Sequence, residues 1–470
     1  MALVPLSFPS QSSPGETGHE GKARLINAYA EELGQDAKAP TKIRAAAGLK
    51  AFATLAGGTG ARGMIVLDNA LYAVDGPILY KVDASGTASV IGGVPGSSPV
   101  FMAINRKAPT KQVAIVSEGQ RFLLENDVLS PIADDDLPPP VSVHFLDGFF
   151  VFPIPDGRFF ISAIDEGSDI NSLDFATAEG SPDGLVAGAT RARELWLFGE
   201  RTIEVWQNTG DASFAFERLP GVFIEFGCRA PNSVRKFLST LVWVDHENIV
   251  RLADGYTPRR ISSHAVERDL AAIADDTAIK GFTFTVTGHQ FYCLTSPQWT
   301  WVFDGTTGLW HERQSYNQSN WRGLWSARFA GKTIIGDSEG GKLYELDGET
   351  YDEAGTPLVM DITAAPQHAY PSRLRINAFY ADLIPGVGLN SSDIEQSDPK
   401  VMLLYSKDGG VTFDHERLLR LGKIGETRVR VNASRLGLTS EDGWSPRLKV
   451  SAAVCRGLTG AAADVDRLGS

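Results

Sequence analysis

The sequence predicts a mainly β fold: a β-propeller of about six blades, with an N-terminal arm and an additional C-terminal β-sandwich-like domain. Three observations predict it. The 48 glycines and 25 prolines of the 470-residue chain supply frequent turns. The runs between these turns are short and rich in β-branched and aromatic residues, as in antiparallel strands. Several segments also repeat a strand, a polar glycine turn and an aromatic strand, which is typical of propeller blades.

The predicted parts follow one another along the chain. Residues 1–60 are rich in Pro, Gly and Ala and carry few strand signals before Leu49, which indicates an arm or docking segment. Residues 61–348 hold the loose repeats and suit six blades of about 40 to 50 residues each. The clearest helix, at 262–274, carries apolar residues at helical spacing. Residues 349–470 carry their own strands around a polar insertion at 385–399, which predicts the β-sandwich-like domain.

Composition excludes several classes of protein. The chain has 44 Lys and Arg against 57 Asp and Glu, a formal charge of −13, which argues against generic electrostatic binding of nucleic acid. The three cysteines lie far apart and lack the spacing of a disulfide framework or a thiolate zinc site. No apolar stretch approaches the ~18 residues of a membrane helix, and the start does not resemble a signal peptide. We therefore expect synthesis in a cytoplasm and no membrane insertion.

No motif predicts a catalytic, cofactor-binding or metal site. Gly58, Gly60 and Gly63 spell G-x-G-x-x-G, but strand-like residues follow where a dinucleotide site needs a helix. The run 245–247 (Asp-His-Glu) fits a solvated turn better than a metal or acid–base site, and no H-E-x-x-H exists. Residues 134–136, three aspartates before three prolines, indicate an exposed connector, with a cation site as the alternative.

One short pattern predicts a hairpin turn of the Asp-box type. In such a turn a hydroxyl and a carboxylate accept hydrogen bonds from the turn's own backbone N–H groups, glycine permits positive φ, and an aromatic ring packs beneath. A sialidase would repeat the pattern and add an arginine cluster with a tyrosine and an acid pair, which this sequence does not assemble. We interpret it as a folding device, and a propeller glycosidase acting on surface polysaccharide stays an alternative. The pattern comprises Ser406, Asp408, Gly410, Thr412 and Phe413.

Basic residues concentrate near the C-terminus of this acidic chain. Nine Lys and Arg but only three Asp and Glu lie between residues 417 and 456. Two interpretations stay open: a solvated or intersubunit salt-bridge surface, or a surface that contacts phosphate or an acidic partner. The candidate basic interface comprises Arg417, Arg420, Lys423, Arg428, Arg430 and Arg435.

Specific strings add a resemblance to these patterns. Residues 24–31 (RLINAYAE) and 48–52 (GLKAF) resemble the opening of podoviral tail proteins of the packaged-DNA stabilization family. Residues 181–185 (SPDGL), 195–199 (LWLFG) and 202–210 (TIEVWQNTG) resemble the same family's most recognisable stretch. The likeness extends from about residue 20 to about residue 455. Its motifs are turn and core signatures, none of them catalytic.

The resemblance implies a structural protein of the virion tail without a cofactor. In that family the chain forms a homo-oligomeric ring, expected to be a hexamer, which is the tail nozzle or hub below the portal and its head-to-tail adaptor. The ring extends the channel through which DNA passes without specific contacts, and it helps to retain the packaged genome. It also anchors tail fibres or spikes and the tail needle for genome ejection. A cytoplasmic propeller that scaffolds other proteins is the alternative from another class.

Overall fold

A computed structural model describes residues 2–17, 20–34, 36–133, 137–178, 180, 183–211 and 213–468. Within these segments the chain is almost entirely β. The two helices are α1 (His264–Ala271), inside the predicted 262–274 helix, and α2 (Ile394–Ser397); short 3-10 turns span Pro231–Ser233 and Asp276–Ala278. The first strands are β1 (Ala2–Leu6), β2 (Ser13–Pro14), β3 (Lys22–Ile26), β4 (Ala28–Glu32), β5 (Thr41–Ala45) and β6 (Gly48–Thr54).

Seven antiparallel sheets of four strands then follow, each a blade. Blade 1 comprises β7–β10: Ala61–Leu67, Ala70–Asp75, Ile78–Val82 and Ala88–Gly93. Blade 2 comprises β11–β14: Phe101–Ile104, Val113–Ser117, Gln120–Glu125 and Val128–Pro131. Blade 3 comprises β15–β18: His144–Leu146, Phe149–Pro153, Arg158–Ala163 and Glu166–Thr177. Blade 4 comprises β19–β22: Leu185–Arg191, Glu194–Gly199, Ile203–Asn208 and Phe216–Arg218.

The remaining blades complete the ring. Blade 5 comprises β23–β26: Arg235–Phe237, Thr240–Val244, Val250–Asp254 and Thr257–Arg260. Blade 6 comprises β27–β30: Lys280–Val286, His289–Thr295, Thr300–Asp304 and Leu309–Glu312. Blade 7 comprises β31–β33, which are Gly323–Phe329, Lys332–Asp337 and Lys342–Asp347, with β6 as its fourth strand. The first strand of each blade contacts the first strand of the next, and β31 contacts β7, so the ring is closed.

The propeller prediction is confirmed, with seven blades where the sequence suggested about six. Blade 7 takes only its first three strands from the end of the span, because β6 pairs antiparallel with β33 from Gly48↔Asp347 to Thr54↔Lys342. Both faces of each blade are covered by neighbours, so second strands such as β20 and β24 are buried almost continuously instead of alternating. Trp196 and Trp243 are fully buried in these strands.

The last strands form a β-sandwich together with the first ones. They are β34 (Asp352–Glu353), β35 (Thr356–Pro357), β36 (Met360–Thr363), β37 (Leu374–Leu383), β38 (Lys400–Ser406), β39 (His415–Arg420), β40 (Val431–Leu438), β41 (Ser445–Val450) and β42 (Gly457–Arg467). One sheet has the order β4-β5-β42-β37-β40, with β1 on β42; the other has the order β3-β36-β41-β38-β39, with β2 on β3. The core between them buries Leu25, Ile362 and Leu403 with Ile376 and Phe379.

The N-terminal segment therefore differs from the expected arm. Strands β1 and β5 both pair with β42, and β3 pairs with β36. Strand β6 completes blade 7, so strand pairing crosses the expected domain limit at residue 60. The domain limits at 60 and 348 themselves stay a prediction. Sequence alone offered few strand signals here because β1–β5 are short, and β1, β3 and β5 pair with strands far along the chain.

Sandwich and propeller are joined through one continuous sheet. Strand β3 bridges to β30 of blade 6 at Ile26↔Glu312, and Arg24 forms an ion pair with Glu312. Asn27, 2% exposed, donates from Nδ2 to the carbonyls of Gln314 (2.8 Å) and Val359 (2.9 Å). Residues of the first resembling string thus lie at this junction, where they fix the orientation of the sandwich against blade 6.

Candidate interface on the sandwich domain

A groove on the sandwich is the main candidate binding surface. It encloses about 840 Å³ and is lined by β37, by β42 and by the segment that precedes β40. Arg428 and Arg430 belong to that segment and are exposed. Tyr380 of β37 also lines the groove, with 43% of its surface exposed. Arginine and tyrosine on an open surface are the residue types that dominate protein–protein contacts.

The cations of the groove are only partly neutralised. Lys38 forms an ion pair with Asp382, which also accepts a hydrogen bond from Thr459 Oγ1 at 2.6 Å. Burial opposes ionisation of Asp382, but these two hydrogen bonds outweigh it and lower its pKa. Arg428 and Arg430 have no ion-pair partner among the residues that the structure describes. The groove therefore presents two uncompensated guanidinium groups.

The other predicted basic residues divide into two groups. Arg417, Lys423 and Arg435 are exposed and form no ion pair within the described segments. Arg420 differs, because its Nε lies 3.0 Å from Asp398 Oδ1 and its Nη2 lies 2.9 Å from Glu426. The hydrogen bond to Asp398, reinforced by the charges of both carboxylates, raises the pKa of Arg420. Arg420 therefore connects β39 to the polar insertion through its ion pair with Asp398, and it is not a free interface cation.

Three further cations counted in the basic region are internal to the fold. Arg447 and Lys449 both pair with Asp361, at 2.8 Å and 3.3 Å. The buried guanidinium of Arg456 donates to the backbone carbonyls of Leu358 (2.6 Å) and Val450 (2.8 Å). Three of the nine basic residues between 417 and 456 thus stabilise the sandwich from within. A count of charges along the chain does not reveal this.

Exposed apolar side chains lie on the insertion and on the loop that carries Arg428 and Arg430, a feature that sequence reasoning missed. The insertion 385–399 hydrogen-bonds to the loop 421–430 through Gly386 N–Leu421 O (2.9 Å) and Gly388 N–Gly422 O (3.1 Å), so the two form one unit. This unit exposes Leu389 by 43%, Ile394 by 67% and Ile424 by 68%. The sequence signal that could have indicated these exposed apolar side chains was the presence of Leu389 and Ile394 in an insertion that we interpreted as polar.

The Asp-box residues form a turn between β38 and β39. Ser406 Oγ accepts from Gly410 N at 2.8 Å, and Asp408 accepts from Thr412 N (3.0 Å) and Thr412 Oγ1 (2.7 Å). Gly410 has a φ of +96°, a backbone conformation that a residue with a Cβ atom adopts only with strain. Burial opposes ionisation of Asp408, yet these hydrogen bonds lower its pKa. Phe413 is half-buried, with the guanidinium of Arg447 5.7 Å from its ring. The side-chain hydrogen bonds of Ser406, Asp408 and Thr412 therefore stay within the turn.

The remaining motifs lie in structural positions. The glycines at 58–63 lead into strand β7, and Asp245 accepts from the N–H groups of Glu247 (2.8 Å) and Ile249 (2.9 Å) in a turn. Within the described segments no three His, Cys, Asp or Glu side chains come together as a metal site. The aspartates 134–136, and residues 181 and 182 of the family string, lie outside the described residues. The two helices, eight and four residues long, fall short of what a membrane span requires.

Comparisons with known proteins bear on the propeller. A family profile described as "Bacteriophage P22 Gp10, beta-propeller" matches residues 26–351. The WD40 β-propeller domain of Doa1 aligns with a TM-score of 0.41 and 11% identity over 63% of this chain and 96% of that one. A virginiamycin B lyase from Staphylococcus aureus aligns with a TM-score of 0.43 and 12% identity over 63% and 98%. A search of curated protein sequences found no match.

Proposed function

Since this chain belongs to the bacteriophage P22 Gp10 β-propeller family of phage DNA-stabilisation and tail proteins, we propose that it forms the tail nozzle or hub of a short-tailed phage. The match over residues 26–351 carries this proposal, because it spans the whole propeller and the junction with the sandwich. The family is one of phage structural proteins, which favours a non-enzymatic role. In the proposed ring the chain extends the DNA channel below the portal and its adaptor, retains the packaged genome, and anchors fibres and the needle.

The fold suits a ring subunit. A closed propeller leaves only short strand edges exposed, so it is rigid and resists edge-to-edge aggregation. Strand β6 closes the ring, and the sheet from blade 6 into the sandwich prevents the two parts from hinging freely. A rigid two-part subunit can repeat one contact around a cyclic axis.

A second copy of this chain is the occupant that we propose for the basic groove. The chain carries a net charge of −13, so a second copy offers an excess of acidic groups to the uncompensated Arg428 and Arg430. Leu389, Ile394 and Ile424 are exposed on the unit that also carries Arg428 and Arg430, and they add apolar area that association would bury. A surface that combines arginine, tyrosine and aliphatic residues is typical of specific interfaces.

Native mass spectrometry tests the ring. The purified chain is measured alone and after mixing with the portal–adaptor complex of the same phage. We expect a ring of about six copies to form on the adaptor, by analogy with closed cyclic assemblies. A chain that stays monomeric with the adaptor would contradict the nozzle assignment, and glycan-cleavage assays would then test the glycosidase alternative.

Charge reversal tests the groove. The double variant Arg428→Glu, Arg430→Glu should lose ring formation on the adaptor, because it places like charges against an acidic neighbour. Lys342→Glu is the matched control, since Lys342 is an exposed lysine of β33 on blade 7, outside the sandwich. Ring formation and DNA retention equal to those of the unaltered chain would refute the role of the groove while leaving the nozzle assignment standing.

A further inference from the structure

The inner strands of the seven blades carry cations and no carboxylate. These strands surround the propeller axis, and each is the first strand of its blade. Their sequences contain no Asp or Glu. Their titratable residues are Arg62, His144, Arg191, Arg235, Lys236, Lys280 and Arg328. In a chain with a net charge of −13 this segregation is unexpected.

Two of the arginines are used by the fold. Arg62 donates to the carbonyls of Gly76 (2.9 Å) and Val94 (2.7 Å). Arg235 reaches from blade 5 to blade 7, where its guanidinium lies 4.7 Å from the ring of Trp325. Burial lowers the pKa of Arg235 to about 10, so it stays charged at neutral pH. Burial and the neighbouring Lys236 and Arg235 lower the pKa of His144 to about 3, so this imidazole stays neutral.

A cavity of about 850 Å³ lies where the inner strands of blades 5, 6 and 7 end; we call it the blade 5–7 mouth. Lys236 lines it from blade 5 and Arg328 from blade 7. Thr283 and Thr285 of β27 line it from blade 6, between the two cations. No Asp or Glu of the described residues lines it.

The two cations of the mouth lack counter-charges. Lys236 forms no ion pair with any residue that the structure describes, and burial lowers its pKa. The hydrogen bond of Arg328 goes to the neutral hydroxyl of Thr333 at 3.3 Å. Both side chains are exposed, so they line an open cavity. Two positive charges with no carboxylate beside them give this cavity a positive potential, which attracts an anion.

We propose that the blade 5–7 mouth binds the phosphate group of a small molecule, held by Lys236 and Arg328. An ammonium, a guanidinium and adjacent threonine hydroxyls supply donors from several directions, which suits the three or four oxygens of a phosphate. The volume accommodates a ligand as large as a nucleotide. Inorganic phosphate and a nucleoside monophosphate share this chemistry and are the two sources.

Isothermal titration calorimetry of the full chain tests the site with inorganic phosphate, AMP and citrate. We expect saturable binding of phosphate, of AMP or of both, and at least tenfold weaker binding by Lys236→Ala and Arg328→Ala, as loss of a charge-assisted hydrogen bond implies. Lys342→Ala, on the same blade as Arg328 but outside the mouth, should bind like the unaltered chain. If Lys236→Ala does not fold, Lys236→Gln keeps the stem and removes the charge.

The outcomes separate the sources and can overturn the proposal. Binding of inorganic phosphate assigns the site to the free anion, and binding of AMP alone assigns it to a nucleotide. The proposal fails if neither phosphate compound binds, or if the variants at Lys236 and Arg328 bind as tightly as Lys342→Ala. It also fails if citrate binds as tightly as phosphate, since the mouth would then not distinguish phosphate from carboxylate.

Discussion

Leu49→Ala tests whether β6 is part of the propeller. Leu49 lies in β6, is 0% exposed, and packs with Trp321, Leu324 and Leu346 of blade 7. Truncating a fully buried leucine removes its transfer free energy and leaves a cavity, which together cost about 2 to 5 kcal/mol. We expect about 3 kcal/mol, because β33 and β6 hold the site in register and limit its collapse. In a free arm the same truncation would cost less than about 0.5 kcal/mol.

The assay is urea unfolding followed by tryptophan fluorescence, with the free-energy change taken from the shift of the midpoint. Amide hydrogen exchange of β33 supplies a local measure, because its N–H groups pair with β6. Leu173→Ala is the matched control, since Leu173 is 78% exposed on blade 3. A Leu49→Ala protein within about 0.5 kcal/mol of the unaltered chain, with unchanged exchange in β33, would refute the closure of blade 7 by β6.

Two further predictions concern carboxylates that accept backbone hydrogen bonds. Asp408→Ala should destabilise the sandwich by about 1 to 3 kcal/mol and speed amide exchange at Thr412, because the turn loses its acceptors; Asp414→Ala, in an exposed neighbour, should do neither. Glu118 accepts from the N–H groups of Ser97 and Ser98, both at 2.8 Å, and these bonds lower its pKa to about 2. Its contribution is complete above the unfolded pKa of about 4.3 and is lost as pH falls towards 2. The thermal unfolding temperature should therefore fall more steeply between pH 5 and 2 for the unaltered chain than for Glu118→Gln. Parallel profiles for the two proteins would show that Glu118 does not cause this loss of stability.

Features that depend on neighbouring residues could be read from the sequence. The turn spacing indicated a propeller, Val266 and Leu270 indicated helix α1, and the pattern at Ser406 and Asp408 indicated a hairpin turn, because each depends on contacts within a few residues. The excess of Arg and Lys in the C-terminal region also pointed to Arg428 and Arg430, which line the groove on the sandwich, while their role in an interface stays a prediction.

Long-range pairings could not be read in the same way. Nothing in the residues of β6 specifies β33 as its partner, since period-2 alternation defines a strand but not its neighbour. For the same reason β1 and β5 were interpreted as an arm, and blade 7 was not counted. Charge counting failed similarly for Arg456, whose guanidinium is buried against carbonyls, and for Arg420, which Asp398 neutralises.

The unpaired cations of the blade 5–7 mouth and those of the sandwich groove lie in different parts of the fold, and this decides what each can do. Lys236 and Arg328 line a cavity of the propeller whose volume, about 850 Å³, suits a small ligand. Arg428 and Arg430 instead lie on the outer surface of the sandwich, open to a macromolecule. Because Arg24 and Asn27 fix the sandwich to blade 6, the groove has the same orientation towards the propeller in every copy. A fixed orientation is what cyclic symmetry requires of a repeated contact, since a hinged groove would allow open chains as readily as a closed ring. Because the chain as a whole carries a net charge of −13, a neighbouring copy offers Arg428 and Arg430 an excess of acidic groups, whereas passing DNA would have to approach an acidic subunit, and this is why we propose a second copy as the occupant of the groove.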